Sequence, residues 1–390
     1  RGRIYGVYQS SVKLIWDWWL NHPRRFQFLG VAVFFAVAAA GALVFFTPTA
    51  ENPTQLSAPV AEAAACQSNG TGGGDWNAAG SWTSCGGVAP TSADTVTIVN
   101  GDTITLNTSA TVDTIDIQNG GTLTNDGNAR TLTLDATTGT HFTLGGTGTF
   151  TPSTFISVTL TSSAAITLTS GTITFYNLTV NLTGTTGRTF TFGSGAITVN
   201  NNFSANQTSA IGAVPIVLTL NMGAAISVTG TTTLTKTQAN GGVTLNTDSG
   251  SNHALTSGFI VLNTGTTLTA NSSTVTLTGT SGTLFTKTGT FNQGTSEVKV
   301  TSASGTPTLL SANTTFHKLT IDSAATVINA GAFTITMSNA DAANKLYIKT
   351  GVLNDSGKTI AGTANGTLQI DNGATLCLSG TTAATNATCD

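Results

Sequence analysis

The sequence predicts an all-β protein: a Thr/Gly-rich, right-handed parallel β-helix or solenoid, preceded by one N-terminal transmembrane helix. Three observations lead there. From Cys66 onward, short segments such as TVTIV (95–99), RTLTLD (130–135) and STVTLTG (273–279) place Val, Ile, Leu or Phe at every second position with Thr between, the period of a strand with one buried face. Turn clusters such as NGG, NDG and DNG separate them, and Gly and Asn tolerate the positive φ that tight turns need. Only 8% of the 390 residues are charged, against roughly 25% in ordinary globular proteins.

An antiparallel sandwich would also satisfy the alternation, and two features favour the solenoid. GTFTPST…TFYNLTV from Gly148 is matched by GTFNQGT…TFHKLTI from Gly289, so that Phe150 corresponds to Phe291 and Phe175 to Phe316. Internal similarity of this kind is the mark of repeat architectures, here with coils of uneven length. Charge scarcity fits as well, because stacked coils form ladders of like residues and like charges opposite one another repel. Threonine keeps an outward face wet without charge, and its β-branch suits a strand.

Taken in order, residues 1–27 read as a cytoplasmic segment. Phe28 to Phe46 is an uncharged, largely apolar run of the length that spans a bilayer. Arg24 and Arg25 precede it and the next basic residue is Arg130, so the positive-inside rule keeps the N-terminus in the cytoplasm and exports the rest. Trp16, Trp18 and Trp19 fit an aromatic anchor at the cytoplasmic interface. An uncleaved anchor and a removed signal peptide both stay open; the run is longer than a usual signal h-region, and the Ala61 to Ala65 cleavage sites lie far beyond it. Residues 47–65 form an extended Pro/Ala linker, with only a faint lipobox before Cys66, and 66–390 form the solenoid ectodomain. The first residue is Arg rather than Met, consistent with a fragment.

Four cysteines in an exported chain read as disulfides. They form two local clusters, Cys66 with Cys85 and Cys377 with Cys389, and local pairing is favoured because the ends of a repeat array stand far apart. The sequence does not exclude the other two connectivities. Trp76 and Trp82 beside the first pair are expected to plug and staple the first coil, whose unpaired edge is otherwise an aggregation template.

The stretch DWNAAGSWTSCGGVAPTSADTVTI (75–98) followed by NGDTITL resembles the opening segment of secreted bacterial β-helix proteins, and is similar to G8-type and autotransporter-associated repeat modules. The TFYNLTV and TFHKLTI units resemble those of surface proteins from small-genome candidate-phyla bacteria. The resemblance implies a parallel β-helix at a cell surface and carries no catalytic residues with it.

Chemistry-bearing residues are sparse. Lyases on β-helices need clustered carboxylates for Ca²⁺ or acid/base work and a basic residue to take a proton. The densest acidic set is Asp94, Asp102, Asp113, Asp116, Asp126 and Asp135. Asp113, Asp116, Asp126 and Arg130 are the candidates, with Asp113 and Asp116 expected on opposite faces of one strand and the others in turns. His141, His253 and His317 never sit at metal-ligand spacing, no G-x-S-x-G elbow occurs, and GVLNDSGKT (351–359) misses the phosphate-loop spacing and reads as a turn with an exposed lysine. No basic stripe follows the apolar run, which argues against nucleic acid. A flat Thr array binds ice only at near-constant coil length, and the spacing here is uneven. Sequons such as Asn177-Leu178-Thr179 follow from composition.

The expected function is therefore a non-enzymatic cell-surface or secreted solenoid, adhesin-like or a structural envelope component, without a cofactor. Its expected partners are the membrane, a surface glycan or envelope polymer, and further copies of itself. A carbohydrate-active β-helix enzyme, lyase- or hydrolase-like and using Ca²⁺, is the alternative; a self-assembling surface-layer or sheath component is the next.

Overall fold

The computed structural model describes residues 63–378, apart from 137–138, 152–155, 163–165, 171, 209–215, 249–250, 339–344 and 363–366. The expected cytoplasmic segment, the expected transmembrane helix and most of the linker lie outside the described residues, as does Cys389. Everything described belongs to the unit Ala61–Asp390. Among the described residues no helix is long and apolar enough to cross a membrane, and the one helical element is the 3-10 turn Ala79–Ser81.

The chain is a parallel β-solenoid with three strand positions per coil. The second coil shows the pattern: Thr95–Ile98 on the first face, Thr103–Leu106 on the second, Ala110–Val112 on the third. The next coil repeats it with Thr114–Ile117, Thr122–Asn125 and Arg130–Leu134, each parallel to its predecessor. The first face becomes an 11-stranded sheet running to Thr290–Asn292. Four long strands, Ile226–Lys236, Leu255–Leu262, Lys318–Asn329 and Lys345–Asn354, run on around a corner and join the ladders of two faces.

Alternation fills the interior. Register places Cys66, Val96, Ile115 and Phe142 in one column and Leu132, Val158, Leu178 and Phe203 in another, all buried. Each such side chain contributes about 1.5–3 kcal/mol on burial. The intervening residues stack outside, as in the ladder Thr189, Thr219, Thr244, Thr267 and Thr290. Coils vary from 19 residues, Val96 to Ile115, to 30, Phe190 to Leu220. The extra residues sit in the corners, so the Thr ladder stays in register; uneven coil length does not break it. Corner side chains stack too: Asn271 Nδ2 donates to Asn246 Oδ1 at 2.7 Å, and Asn246 to Asn221 at 3.3 Å. Gly101 and Gly120, at φ 84° and 77°, take the left-handed positions of two successive turns, joined by a 3.1 Å backbone bond.

The long-range sequence match has a different meaning from a repeated coil. Phe150 and Phe175 lie on the second face, Phe291 and Phe316 on the first. What recurs is a corner. In FYNLTV (175–180) and FHKLTI (316–321) a buried Phe ends one strand, a single residue makes the bend, and the next strand opens one residue before Leu, so that Leu and Val or Ile resume the buried phase on the next face. VDTIDI (112–117) does the same at the corner from the third face to the first. The matched phenylalanines also mark two breaks in backbone pairing. No described ladder pairs Thr149–Phe150 with Ile173–Phe175, or Thr290–Asn292 with Thr314–Phe316. Rings bridge both gaps: Phe150 and Phe175 have centroids 5.8 Å apart with Phe142 edge-on to each, and Phe291 and Phe316 are 6.0 Å apart with Phe285 at 5.2 Å from Phe291.

The N-terminal end is closed as the sequence predicts. Cys66 and Cys85 form a disulfide. Trp82–Thr83 runs antiparallel to Ala65–Ser68 and is the outermost strand of the 11-stranded sheet. Trp76 and Trp82 are buried, meet edge to face at 5.1 Å, and the Trp82 indole donates to the Trp76 carbonyl at 2.7 Å. Cys377 at the other end is buried and also disulfide-bonded.

His141 occupies a bulge between Thr140 and Phe142 and is fully buried, its Nε2 3.3 Å from the Thr161 carbonyl. Burial lowers its pKa to about 4, outweighing the backbone partners at Thr161 and Gly139. Its folded pKa lies below the unfolded value, so the unfolded chain takes up the proton first. The stability linked to neutral His141 is complete above about pH 6.5 and is lost as pH falls towards 4, up to about 3 kcal/mol. The urea midpoint is expected to drop across that window, and His141→Phe is expected to remove the drop. At the aromatic bridge, Phe175→Ala is expected to lower stability by about 3–5 kcal/mol and Phe175→Leu by far less, read from urea melts.

Candidate functional site

The acidic residues of the first coils hold structure. Asp94 Oδ1 accepts the Ala64 amide at 2.7 Å and its Oδ2 accepts the Thr91 amide and hydroxyl at 2.6 and 2.8 Å. Burial pushes its pKa up, but these bonds outweigh burial and bring it below the ordinary value. Asp102 is treated alike by burial, the Ser68 hydroxyl and the Gly70 and Gly72 amides, the amides at 2.8 Å each. Both carboxylates tie the capping segment to the second coil.

The four residues singled out as candidates do not converge. Asp113 and Asp116 are not on opposite faces of a strand: Asp113 sits in the corner bend, which interrupts the period of two, and both point away from the apolar interior. Asp113 lies near Asp135, whose pKa is raised by burial and then by the Asp113 charge. Asp116 stands in the outward column between Thr97 and Thr143. Beside it is a shallow groove lined also by Asn100, Gln118, Asn119 and Gly145, and burial raises its pKa. Asp126 and Arg130 clamp a turn between the second and third faces, with Nε to Oδ1 at 3.2 Å and the second nitrogen to Oδ2 at 2.5 Å. The guanidinium hydrogen bonds hold the Asp126 carboxyl far below its usual range, so neither group is poised to exchange a proton near neutrality. Among the described residues no group of three or more His, Cys, Asp or Glu could hold a metal ion. Of GVLNDSGKT, read from the sequence as a turn, GVLN is the end of the strand Lys345–Asn354, and only the residues after it turn, with Lys358 exposed.

The densest polar surface lies elsewhere, on the second face of the last coils, where sequence reading singled out no residue. Register aligns Glu297, Lys318, Lys345 and Thr367 in one outward column and Lys299, Thr320, Tyr347 and Gln369 in the next. Asp322 joins Lys299 at 2.8 Å, Lys349 at 3.0 Å and the Thr350 hydroxyl at 3.0 Å. The hydrogen bond from the Lys299 ammonium, joined by those from Lys349 and Thr350, outweighs the upward push of burial and brings its pKa down to about 2. Lys318 pairs with Glu297 at 3.1 Å, and the Thr320 hydroxyl donates to the same carboxylate. The Lys345 ammonium lies 4.7 Å from the centre of the Tyr347 ring. The Tyr347 hydroxyl donates to Asp371 at 2.5 Å, and Gln369 supplies a second donor at 2.8 Å. That bond raises the tyrosine pKa and lowers the aspartate's. Lys299, Lys318 and Lys349 each make an ion pair within this patch. The signal was legible as EVKV, HKLTID, KLYIK and TLQID, strands whose outward positions carry charge, amide or ring in place of Thr. Such a surface offers a partly exposed ring and rows of fixed donors and acceptors.

Comparison with protein-family models, with curated proteins and with solved structures finds no match.

Asp102→Ala is expected to lower the urea midpoint by the equivalent of about 1.5–3 kcal/mol, the range for hydrogen bonds to a charged acceptor. Asp126→Ala and Arg130→Ala, which break an exposed pair, are expected to leave the midpoint close to that of the parent chain.

Proposed function

We propose that the protein is a non-enzymatic solenoid displayed at a cell surface or secreted, adhesin-like, which contacts a surface glycan or envelope polymer through the charged, aromatic patch of its last coils. The observation that carries this reading is the contrast between a charge-poor, Thr-laddered rod and one patch that gathers Lys299, Lys318, Lys345, Lys349, Tyr347, Gln369 and Asp371 on a single face. A rigid parallel ladder holds such groups at fixed spacing, so many weak contacts with a repeating polymer add by multiplicity. The patch lies in the coils furthest along the chain from the apolar run Phe28 to Phe46, which the reading takes as anchor or export signal. The likeness of residues 75–98 to secreted bacterial β-helix proteins supports the same placement.

The alternative, a polysaccharide lyase or hydrolase, is weakened by the acids it would need: Asp94, Asp102 and Asp126 are engaged in turns and Arg130 is clamped by Asp126.

The experiment is retention of the 390-residue chain, in detergent, on a panel of immobilised polysaccharides, with released unsaturated and reducing ends measured in parallel. Retention without cleavage is expected, reduced several-fold by Tyr347→Ala and by Lys345→Ala. Cleavage lost in Asp116→Asn would establish the enzyme instead, and no retention on any polymer would overturn the adhesin reading.

A further inference from the structure

Where the first face turns towards the second, an outward column is interrupted. Asp116 stands on the strand Thr114–Ile117, between Thr97 and Thr143 of the neighbouring coils. One step past that strand comes Gln118, whose backbone amide donates to the Ile98 carbonyl at 3.0 Å. In the next coil Gly145 takes the same step, its amide donating to the Ile117 carbonyl at 2.8 Å. Gly145 has to be glycine, because a Cβ there would lie 2.7 Å from the Asn119 amide nitrogen. The rung after Gln118 therefore carries no side chain, and the gap is the shallow groove lined by Asn100, Asp116, Gln118, Asn119 and Gly145. Its volume is about 410 Å³, within the roughly 300–1,000 Å³ of small-ligand sites.

The polar groups on its walls are unengaged. Elsewhere the chain ties its carboxylates down: Asp94, Asp102, Asp126, Asp322 and Asp371 each accept hydrogen bonds from neighbouring residues. Asparagines at other corners stack on one another, as Asn221, Asn246 and Asn271 do. Among the described residues, neither the Asp116 carboxylate nor the side-chain amides of Asn100 and Gln118 has a hydrogen bond or ion pair. Asn119 uses only its Oδ1, which accepts the Thr147 amide at 3.1 Å. Asp116 is partly buried, so its charge is partly desolvated with no protein donor facing it. That arrangement costs stability unless a ligand supplies the donors.

We propose that this groove binds one residue of a neutral glycan through adjacent hydroxyls. A carboxylate only accepts and an amide NH2 donates, whereas a hydroxyl does both. Two neighbouring hydroxyls can therefore donate to the two oxygens of Asp116 while accepting from Gln118 and Asn100. A calcium ion fits less well, since it takes about 6–8 oxygens and is held by carboxylate charge, and the groove has one carboxylate. Asp116 is also the one titratable side chain on these walls, which leaves glycoside hydrolysis without its second carboxylate. The inference stands on the groove's own groups and is independent of the patch in the last coils.

The test is saturation-transfer NMR and calorimetry on the 390-residue chain in a detergent without a sugar headgroup, with the methyl glycosides of glucose, galactose and mannose as probes. At least one is expected to bind saturably with millimolar affinity. Asp116→Ala and Gln118→Ala are each expected to weaken that binding several-fold, and Tyr347→Ala to leave it unchanged, which separates this site from the patch of the last coils. Asp116→Asn is expected to weaken binding while keeping the urea midpoint at or above the parent's, because the carboxylate holds no protein group. A lowered midpoint would make Asp116 a structural residue and overturn the proposal. So would the lack of saturable binding by all three glycosides, or binding that Asp116→Ala leaves intact. Calcium chloride that binds the parent but not Asp116→Asn, with no glycoside competing, makes this a cation site and overturns it too. In the parent alone, titration with the bound glycoside is expected to shift the side-chain amide signals of Asn100 and Gln118. Signals that stay in place sink the proposal even if a variant fails to fold.

Discussion

Everything in this protein depends on the in-register parallel ladder. Each coil must set its apolar residues directly over those of the coil before it, because a single coil buries nothing alone. Cys66, Val96, Ile115 and Phe142 meet that demand on one face, and Leu132, Val158, Leu178 and Phe203 on another. Outward residues then stack as well, which is why Thr and Asn ladders dominate and charges are few. Where charges do stack, in the last coils, each is matched with an opposite charge or a ring: Lys299 and Lys349 share Asp322, Lys318 meets Glu297, and Lys345 covers Tyr347.

Corners absorb what the ladder does not tolerate. Coil length varies there without disturbing register, as between the 19-residue coil from Val96 to Ile115 and the 30-residue coil from Phe190 to Leu220. Corners also reset the alternation, so Asp113 and Asp116 both face outward although they are three residues apart. Among the described strands two neighbouring pairs share no ladder, and phenylalanine rings meet across each, Phe150 with Phe175 and Phe291 with Phe316. An aromatic pair contributes about 0.5–1.5 kcal/mol beyond its burial, so the rings add cohesion where no described ladder links the strands.

The candidate site was less legible than the fold. The aspartates of the first coils stand out by density, yet density came from their work in turns and at the cap, where Asp94 and Asp102 collect backbone amides. The lysines and tyrosine of the last coils are scattered over more than 50 residues of sequence, from Lys299 to Lys349. Only coil-to-coil register brings them to one face, and register is a long-range property that no local spacing reports.

From the sequence alone came the all-β class, the solenoid, the solvent-facing role of threonine, the Cys66–Cys85 staple and the tryptophan plug. Each is a local matter: a period of two, a composition, a pair of cysteines 19 residues apart. The tertiary structure decided which corner each motif occupies and which side chains share a column. Those follow from which residues each strand sets against the coil beneath, a register between segments 19 to 30 residues apart that neither segment specifies alone.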